Sequence, residues 1–426
     1  VKGVFTTVAS GKHGFEVVLS HGNSIELLVT ESESGDFKSI CRQSVFGNVR
    51  SMRAFRLHGG TFDYIVIGTD SGKFTILKFD EANQCFEVVL SHTYGHTGCR
   101  RDIAGELLAA DPAGRAIMIG ALEKQKIVYV MSRDADTPLK IFSPLQANTQ
   151  HTLTFDIVGV DVGFSHPVFA ALELDYTDAD EDSSGTAAGS TQKYLSHYEL
   201  DLGTNSISKT WTQVTDRTAN RLISVPGSEH NGPGGVLVLG EGVVMYQKPE
   251  HAVLSATLPC REGSLPRKYL IVAHDMHQQK NGTFFFILQS ELGDLFKLTL
   301  DYNAETAVVA SFSIYYFDSI PIANCLRITK NGMLFAANDS GDHFSYVFTG
   351  LGGEEGEVVS RTAPSEGEET NARKKQKLSI PTFLPRPLKN LDLCDDSVSS
   401  LAPIMGLEIG DFQDSRGNQM YTLCGR

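Results

Sequence analysis

The chain has 426 residues, 41% hydrophobic and 21% charged, an ordinary balance for a globular chain that can bury a core. Its 37 basic and 51 acidic side chains give a formal charge of −14, which repels phosphate backbones and argues against broad nucleic-acid binding through its own surface. No apolar run approaches the length of about eighteen residues that a membrane-spanning helix needs, so such a helix is excluded.

The chain opens at Val1 without a charged-then-apolar leader and reads as a fragment of a longer product. A first β-rich unit covers Val1 to Ser44. In the second, short apolar runs between turn residues predict strands over Ser51 to Leu57, Tyr64 to Gly68, Lys73 to Phe79 and Cys85 to Ser91. The third unit predicts strands over Leu107 to Ala110, Ala116 to Ala121, Ile127 to Met131 and Leu139 to Phe142. Later first strands fall near Ile157, Leu222, Tyr269, Ala323 and Leu401. Two insertions interrupt the pattern. Asp175 to Thr191 is acidic and rich in Ser, Gly and Ala. Gly350 to Pro381 carries a Glu-rich run, then Arg373, Lys374, Lys375 and Lys377, and its low apolar content predicts a disordered segment. The basic run suits a solvated linker better than a nuclear-import signal.

Internal similarity is the strongest signal. Tyr64 to Asp80 (YIVIGTDSGKFTILKFD), Phe285 to Asp301 (FFILQSELGDLFKLTLD) and Met333 to Thr349 (MLFAANDSGDHFSYVFT) align without gaps. From Gly242 to Gly293 is 51 residues, and from Gly293 to Gly341 is 48. Four strands repeated about every fifty residues indicate an all-β protein, a β-propeller of four-stranded antiparallel blades. The count of first strands fits seven or eight blades. The single tryptophan, Trp211, and the lack of Trp-Asp strand endings set it apart from a standard WD40 ring.

Little in the chain suggests catalysis. Cys41, Cys85, Cys99, Cys260, Cys325, Cys394 and Cys424 are scattered singly, without zinc or disulfide spacing. His274 and His277 form an i,i+3 pair with no nearby third ligand, and no hydrolase, phosphate-loop or dinucleotide motif occurs. We therefore expect no catalytic residue, metal or cofactor. The turns between second and third strands carry Asp70, Glu123, Glu241, Glu291 and Asp339, with Asp178, Asp180, Glu181 and Asp182 in the corresponding insertion. Blade-to-blade loops on the same rim add Arg100, Arg101, Arg261 and Arg267. Acids and glycines suit tight turns and solubility. The same mixed charge also suits recognition of a protein partner. The expected partner-binding set is Asp70, Arg100, Arg101, Glu123, Asp178, Asp180, Glu181, Arg267, Glu291 and Asp339.

Several long segments resemble a known family. They are Ala54 to Gly72 (AFRLHGGTFDYIVIGTDSG), Gly98 to Asp102 (GCRRD), Glu123 to Asp134 (EKQKIVYVMSRD), Val158 to Phe164 (VGVDVGF), Tyr198 to Gly203 (YELDLG), Gly293 to Leu300 (GDLFKLTL) and Arg386 to Leu391 (RPLKNL). They resemble the N-terminal propeller of the third-subunit family of splicing factor 3b. The wider family includes the large subunits of the damaged-DNA-binding complex and of the cleavage and polyadenylation specificity factor. The resemblance implies one seven-bladed propeller over residues 1–426, part of a larger multi-propeller protein, with the disordered insertion at 350–381. It implies a nuclear, non-enzymatic scaffold in pre-mRNA splicing, within the ribonucleoprotein that recognises the branch site. The implied partners are the HEAT-repeat subunit and a very small companion subunit of that complex, with no sequence-specific nucleic acid and no membrane. A propeller adaptor of a ubiquitin ligase shares the fold but not these segments. A propeller hydrolase or lyase would need acids or a metal at the channel mouth.

Overall fold

A computed structural model describes residues 1–6, 16–30, 37–57, 59–94, 104–121, 123–131, 139–227, 232–263, 268–279, 282–330, 332–339, 341–353, 358–362, 380–394, 404–410 and 419–424. The described chain is almost entirely strand, and its antiparallel sheets follow one another as blades. The first blade comprises Lys2–Gly3, Glu16–Ser20, Ser24–Thr30 and Phe37–Ser44. The second comprises Val49–Phe55, Tyr64–Thr69, Lys73–Asp80 and Cys85–Thr93, within two residues of the predicted strands.

The third and fourth blades are one continuous seven-stranded sheet. Leu145–Val160 pairs through its first half with Glu123–Val130 and through its second half with Val168–Asp175. It therefore closes one blade and opens the next. This corrects the expected fourth strand at Leu139 to Phe142, where only an isolated bridge from Met131 to Ile141 forms. The sequence between the two halves, Asn148 to Thr154, contains neither Gly nor Pro to break the strand. The blade-to-blade bend is made instead by His151, with φ of 53°, and by a register shift between Thr154 and Asp156.

The fifth blade is Arg221–Ser224, Val236–Gly240, Val243–Gln247 and Leu254–Thr257. The sixth is Ile271–Gln278, Phe284–Ser290, Asp294–Asn303 and Val308–Ser319. The seventh combines Cys325–Ile328, Met333–Ala337 and Phe344–Phe348 with Leu391–Leu393, which returns after the second insertion.

The described residues thus form seven blades, and the pattern of burial explains why they hold together. Strands such as Tyr64–Thr69 and Phe284–Ser290 are apolar and buried on both faces, because each sheet is sandwiched between its neighbours. Among the described residues, buried clusters join each blade to the next, from the first–second interface around Ile65 and Phe79 to the sixth–seventh around Phe317 and Leu334. Val17, Leu19 and Leu28 of the first blade meet Phe335 of the seventh and close the ring. Polar contacts reinforce that smaller seam. Lys2 Nζ donates to Asp275 at 2.6 Å, to the Met276 carbonyl at 2.9 Å and to the Ile328 carbonyl at 3.0 Å.

The last first-strand candidate, near Leu401, does not start an eighth blade. Among the described residues, Ile404–Gly410 and Gln419–Cys424 pair with each other and with no other strand, and Leu407, Ile409, Met420 and Leu423 are exposed.

The second insertion also departs from expectation in its described part. Val359–Arg361 adds a fifth strand to the sixth blade. Thr382–Phe383 then runs parallel to Cys260–Arg261, and the Pro381 carbonyl accepts the Cys260 N–H at 2.9 Å. Residues 354–357 and 363–379 of that insertion lie outside the described residues.

Candidate protein-interaction rim

In a four-stranded antiparallel blade, the turn between second and third strands shares a rim with the connection to the next blade. Backbone hydrogen bonds between these turns and connections fix the rim's shape. The Gly242 N–H donates to the Tyr269 carbonyl at 2.8 Å, and the Glu291 N–H to that of Leu270 at 2.9 Å. The connection between the fifth and sixth blades therefore holds the Glu241 and Glu291 turns side by side. Arg261 locks the same region, gripping Asp294 bidentately at 2.8 Å through Nε and Nη2. Ser319 also donates to Asp294, at 2.6 Å. Arg261 is thus an internal brace, not the exposed rim cation its loop position suggested.

The structure separates the expected site residues into three groups. Asp70 and Glu123 are engaged within the chain. Asp70 accepts both the backbone N–H and the side-chain amide of Asn48 at 2.8 Å, and these hydrogen bonds hold its carboxyl below the usual range. Glu123 accepts the Tyr176 hydroxyl, with Lys124 Nζ at 3.6 Å.

The second group projects outward. Asp178, Asp180 and Glu181 are exposed on a short helix, Thr177–Glu181, in the turn of the fourth blade. His151 reaches Asp180 at 3.4 Å and its ring lies 5.6 Å from that of Tyr176, so Glu123 and this helix form one patch. Asp182 instead turns back on its own segment, accepting from Ser184, Thr186 and Ala187, which depresses its carboxyl strongly. Glu291 and Asp339 are half-buried in the turns of the sixth and seventh blades. The third group, Arg100, Arg101 and Arg267, lies outside the described residues.

His274 and His277 sit on the first strand of the sixth blade. Side chains three apart on a strand point to opposite faces, so the pair does not converge on one ion. Sequence reading missed a different set of charges, on the first strands. These strands adjoin those of neighbouring blades and line the central channel. Arg53, Asp156, Arg221, His274, Asp275 and Arg327 lie within electrostatic range of one another there. Single charges inside apolar strands were the available signal, as in RLIS and CLRI.

The family model for the RSE1/DDB1/CPSF1 first beta-propeller matches residues 2–394. The chain belongs to that family. It is 42% identical over 420 residues to spliceosome-associated protein 130 A of Arabidopsis thaliana, covering 98% of this chain and 33% of that protein. It is 41% identical to splicing factor 3B subunit 3 of Danio rerio over 98% of this chain and 33% of that protein. Pre-mRNA-splicing factor RSE1 of Mycosarcoma maydis is 40% identical, with 98% and 34% covered. The chain spans about a third of the length of these relatives. The match of this RSE1/DDB1/CPSF1 first propeller ends at residue 394, so the exposed strand pair Ile404–Gly410 and Gln419–Cys424 falls beyond the matched segment.

Proposed function

We propose that the chain is a nuclear, non-enzymatic propeller scaffold of a splicing factor 3b complex, acting in pre-mRNA splicing. The observation that carries this reading is the identity of about 40% over 98% of the chain to proteins named as splicing factor 3B subunit 3 and its fungal and plant counterparts. The architecture supports a binding role. A closed ring presents a rim whose turns are fixed by backbone bonds, which limits the ordering cost of association. Its partners on this reading are the HEAT-repeat subunit and the very small companion subunit, docked on the acidic rim.

The test is affinity purification of the full-length protein from nuclear extract, with its companions identified by mass spectrometry. Recovery of a HEAT-repeat subunit and a small subunit of the splicing complex supports the proposal. Recovery of ubiquitin-ligase components in their place overturns it.

A further inference from the structure

The protein is acidic overall, yet its channel is lined mainly by basic groups. Lys2, Arg53, Arg221 and Arg327 stand on the first strands of four blades, against Asp156 and Asp275 on two others. The two carboxylates are already committed. Asp275 accepts Lys2 at 2.6 Å and the Ile328 N–H at 2.6 Å, with Arg327 at 3.5 Å. Asp156 accepts the backbone N–H groups of Ile157 at 2.9 Å and Leu222 at 2.8 Å.

Arg53 and Arg221 differ from the other two cations. Neither has a carboxylate within ion-pair distance among the described residues, although both are exposed to the solvent of the channel. Among the described residues, Arg53 donates to the carbonyl of its neighbour Met52, at 3.1 Å, and to no other group. A tie that merely held the ring together would pair them, as it pairs Lys2 and Arg327. Instead Arg53, Arg221 and Arg327 repel one another, while Arg53 and Arg221 share the field of Asp156 without an ion-pair contact to it. Burial among the channel walls holds the Arg53 guanidinium below its ordinary value, with Asp156 opposing the shift and Arg327 and Arg221 adding to it. Beside them, desolvation and then Arg221 and Arg327 push His274 down to about 3, so its ring is neutral, and its Nδ1 has no hydrogen-bond partner.

We propose that the channel is a binding site for a compact, multiply charged phosphate anion, held by Arg53 and Arg221 with Arg327 behind them. Guanidinium forks bind phosphate oxygens bidentately, and three forks approaching from separate blades suit a ligand whose charge is spread in three dimensions. A channel with protein walls focuses the field of these cations on its axis. The site is distinct from the rim and does not depend on any partner subunit.

Titration calorimetry of the chain with sodium tripolyphosphate at constant ionic strength tests it. The expected result is saturable binding near one ligand per chain. Affinity should fall at least about tenfold in the double variant Arg53→Gln, Arg221→Gln, as loss of two charge-assisted contacts implies. It should stay unchanged in Arg361→Gln, which lies on the added outer strand of the sixth blade. If the double variant does not fold, the two single variants are read in the same way. Unsaturable binding, equal affinity in the channel variants, or citrate binding as tightly as tripolyphosphate would each overturn the proposal.

Discussion

Lys126, on the third strand of the third blade, forms an ion pair with Glu173, on the second strand of the fourth, and both side chains are sealed from solvent. The pair lies inside the continuous sheet that joins the two blades. The Tyr198 hydroxyl donates to Glu173 at 2.7 Å, and Lys209 reaches its other oxygen at 3.2 Å from a more exposed position. The ammonium of Lys126 also lies 5.2 Å from the Tyr198 ring centroid. Glu173 keeps its contacts to Tyr198 and Lys209 when Lys126 is changed. Glu173→Ala strips Lys126 of its carboxylate in a buried site and should cost about 3–5 kcal/mol. Lys126→Met leaves Glu173 with Lys209 and Tyr198, and should cost clearly less. Guanidinium unfolding of both variants checks this, and equal losses would contradict it.

The same cluster sets a pH dependence. Burial alone would raise the Glu173 carboxyl, but Lys126, Lys209 and Tyr198 outweigh it and hold it below the ordinary glutamate value. The native state then binds fewer protons at Glu173 than the unfolded state does. Its contribution to stability is present above the unfolded value, roughly pH 4.3 to 4.5, and is lost as pH falls through the lower folded value. Unfolding midpoints of the parent should therefore drop more steeply below pH 5 than those of Glu173→Gln. Parallel profiles would remove Glu173 from the acid response.

A third prediction separates the second insertion from the strands at its edges. Phe383 is buried at the fifth–sixth blade interface, stacked on Tyr316 with centroids 4.0 Å apart and edge-on to Phe296 at 5.9 Å. Phe383→Ala should cost about 3–5 kcal/mol, the range for an aromatic truncated in a core. Replacing 363–379 by a short Gly/Ser linker should leave the melting temperature within a few degrees. Deleting all of 350–381 should not, because it removes the strand Val359–Arg361 and the Pro381 carbonyl that pairs with Cys260. Thermal melts of the three variants decide, and a large loss from the linker variant would count against the division.

How much of this was legible follows from which interactions are local. Strands such as Lys73–Asp80 were readable because apolar runs and glycine turns lie within one unit of sequence. Gly72, with φ of 72°, supplies the left-handed turn that the repeat marks with Gly. The strand Leu145–Val160 was hidden because its bend is made by His151 and a register shift, which no turn residue announces. Phe383 was hidden because its partners are distant in sequence and it follows a run without periodicity. On the rim, composition located the acidic turns, but could not tell Asp70, held by Asn48, from Asp178, which projects outward. The channel arginines showed in sequence only as single charges in first strands, and their convergence was hidden because ring closure brings those strands together.

The final prediction concerns the rim. Asp70 and Glu123 are poor probes, since changing either removes a hydrogen bond that shapes its turn. Glu291 and Asp339 are better ones, because the backbone fixes the turn at Glu291 through its N–H bond to Leu270, and the neighbouring Asn324 N–H donates to the Ala337 carbonyl. The turn geometry should therefore survive replacement of these side chains. Exposed ion pairs contribute only about 0–1 kcal/mol, whereas a desolvated pair that loses one member costs about 2–5 kcal/mol. Glu291→Lys with Asp339→Lys should accordingly weaken binding to the purified companion subunits, chiefly through faster dissociation, and leave the unfolding midpoint near that of the parent. Association kinetics and a denaturation curve on the same sample distinguish the cases. Unchanged affinity with an intact fold would assign both acids to turn geometry and solubility, and move the docking surface elsewhere on the ring.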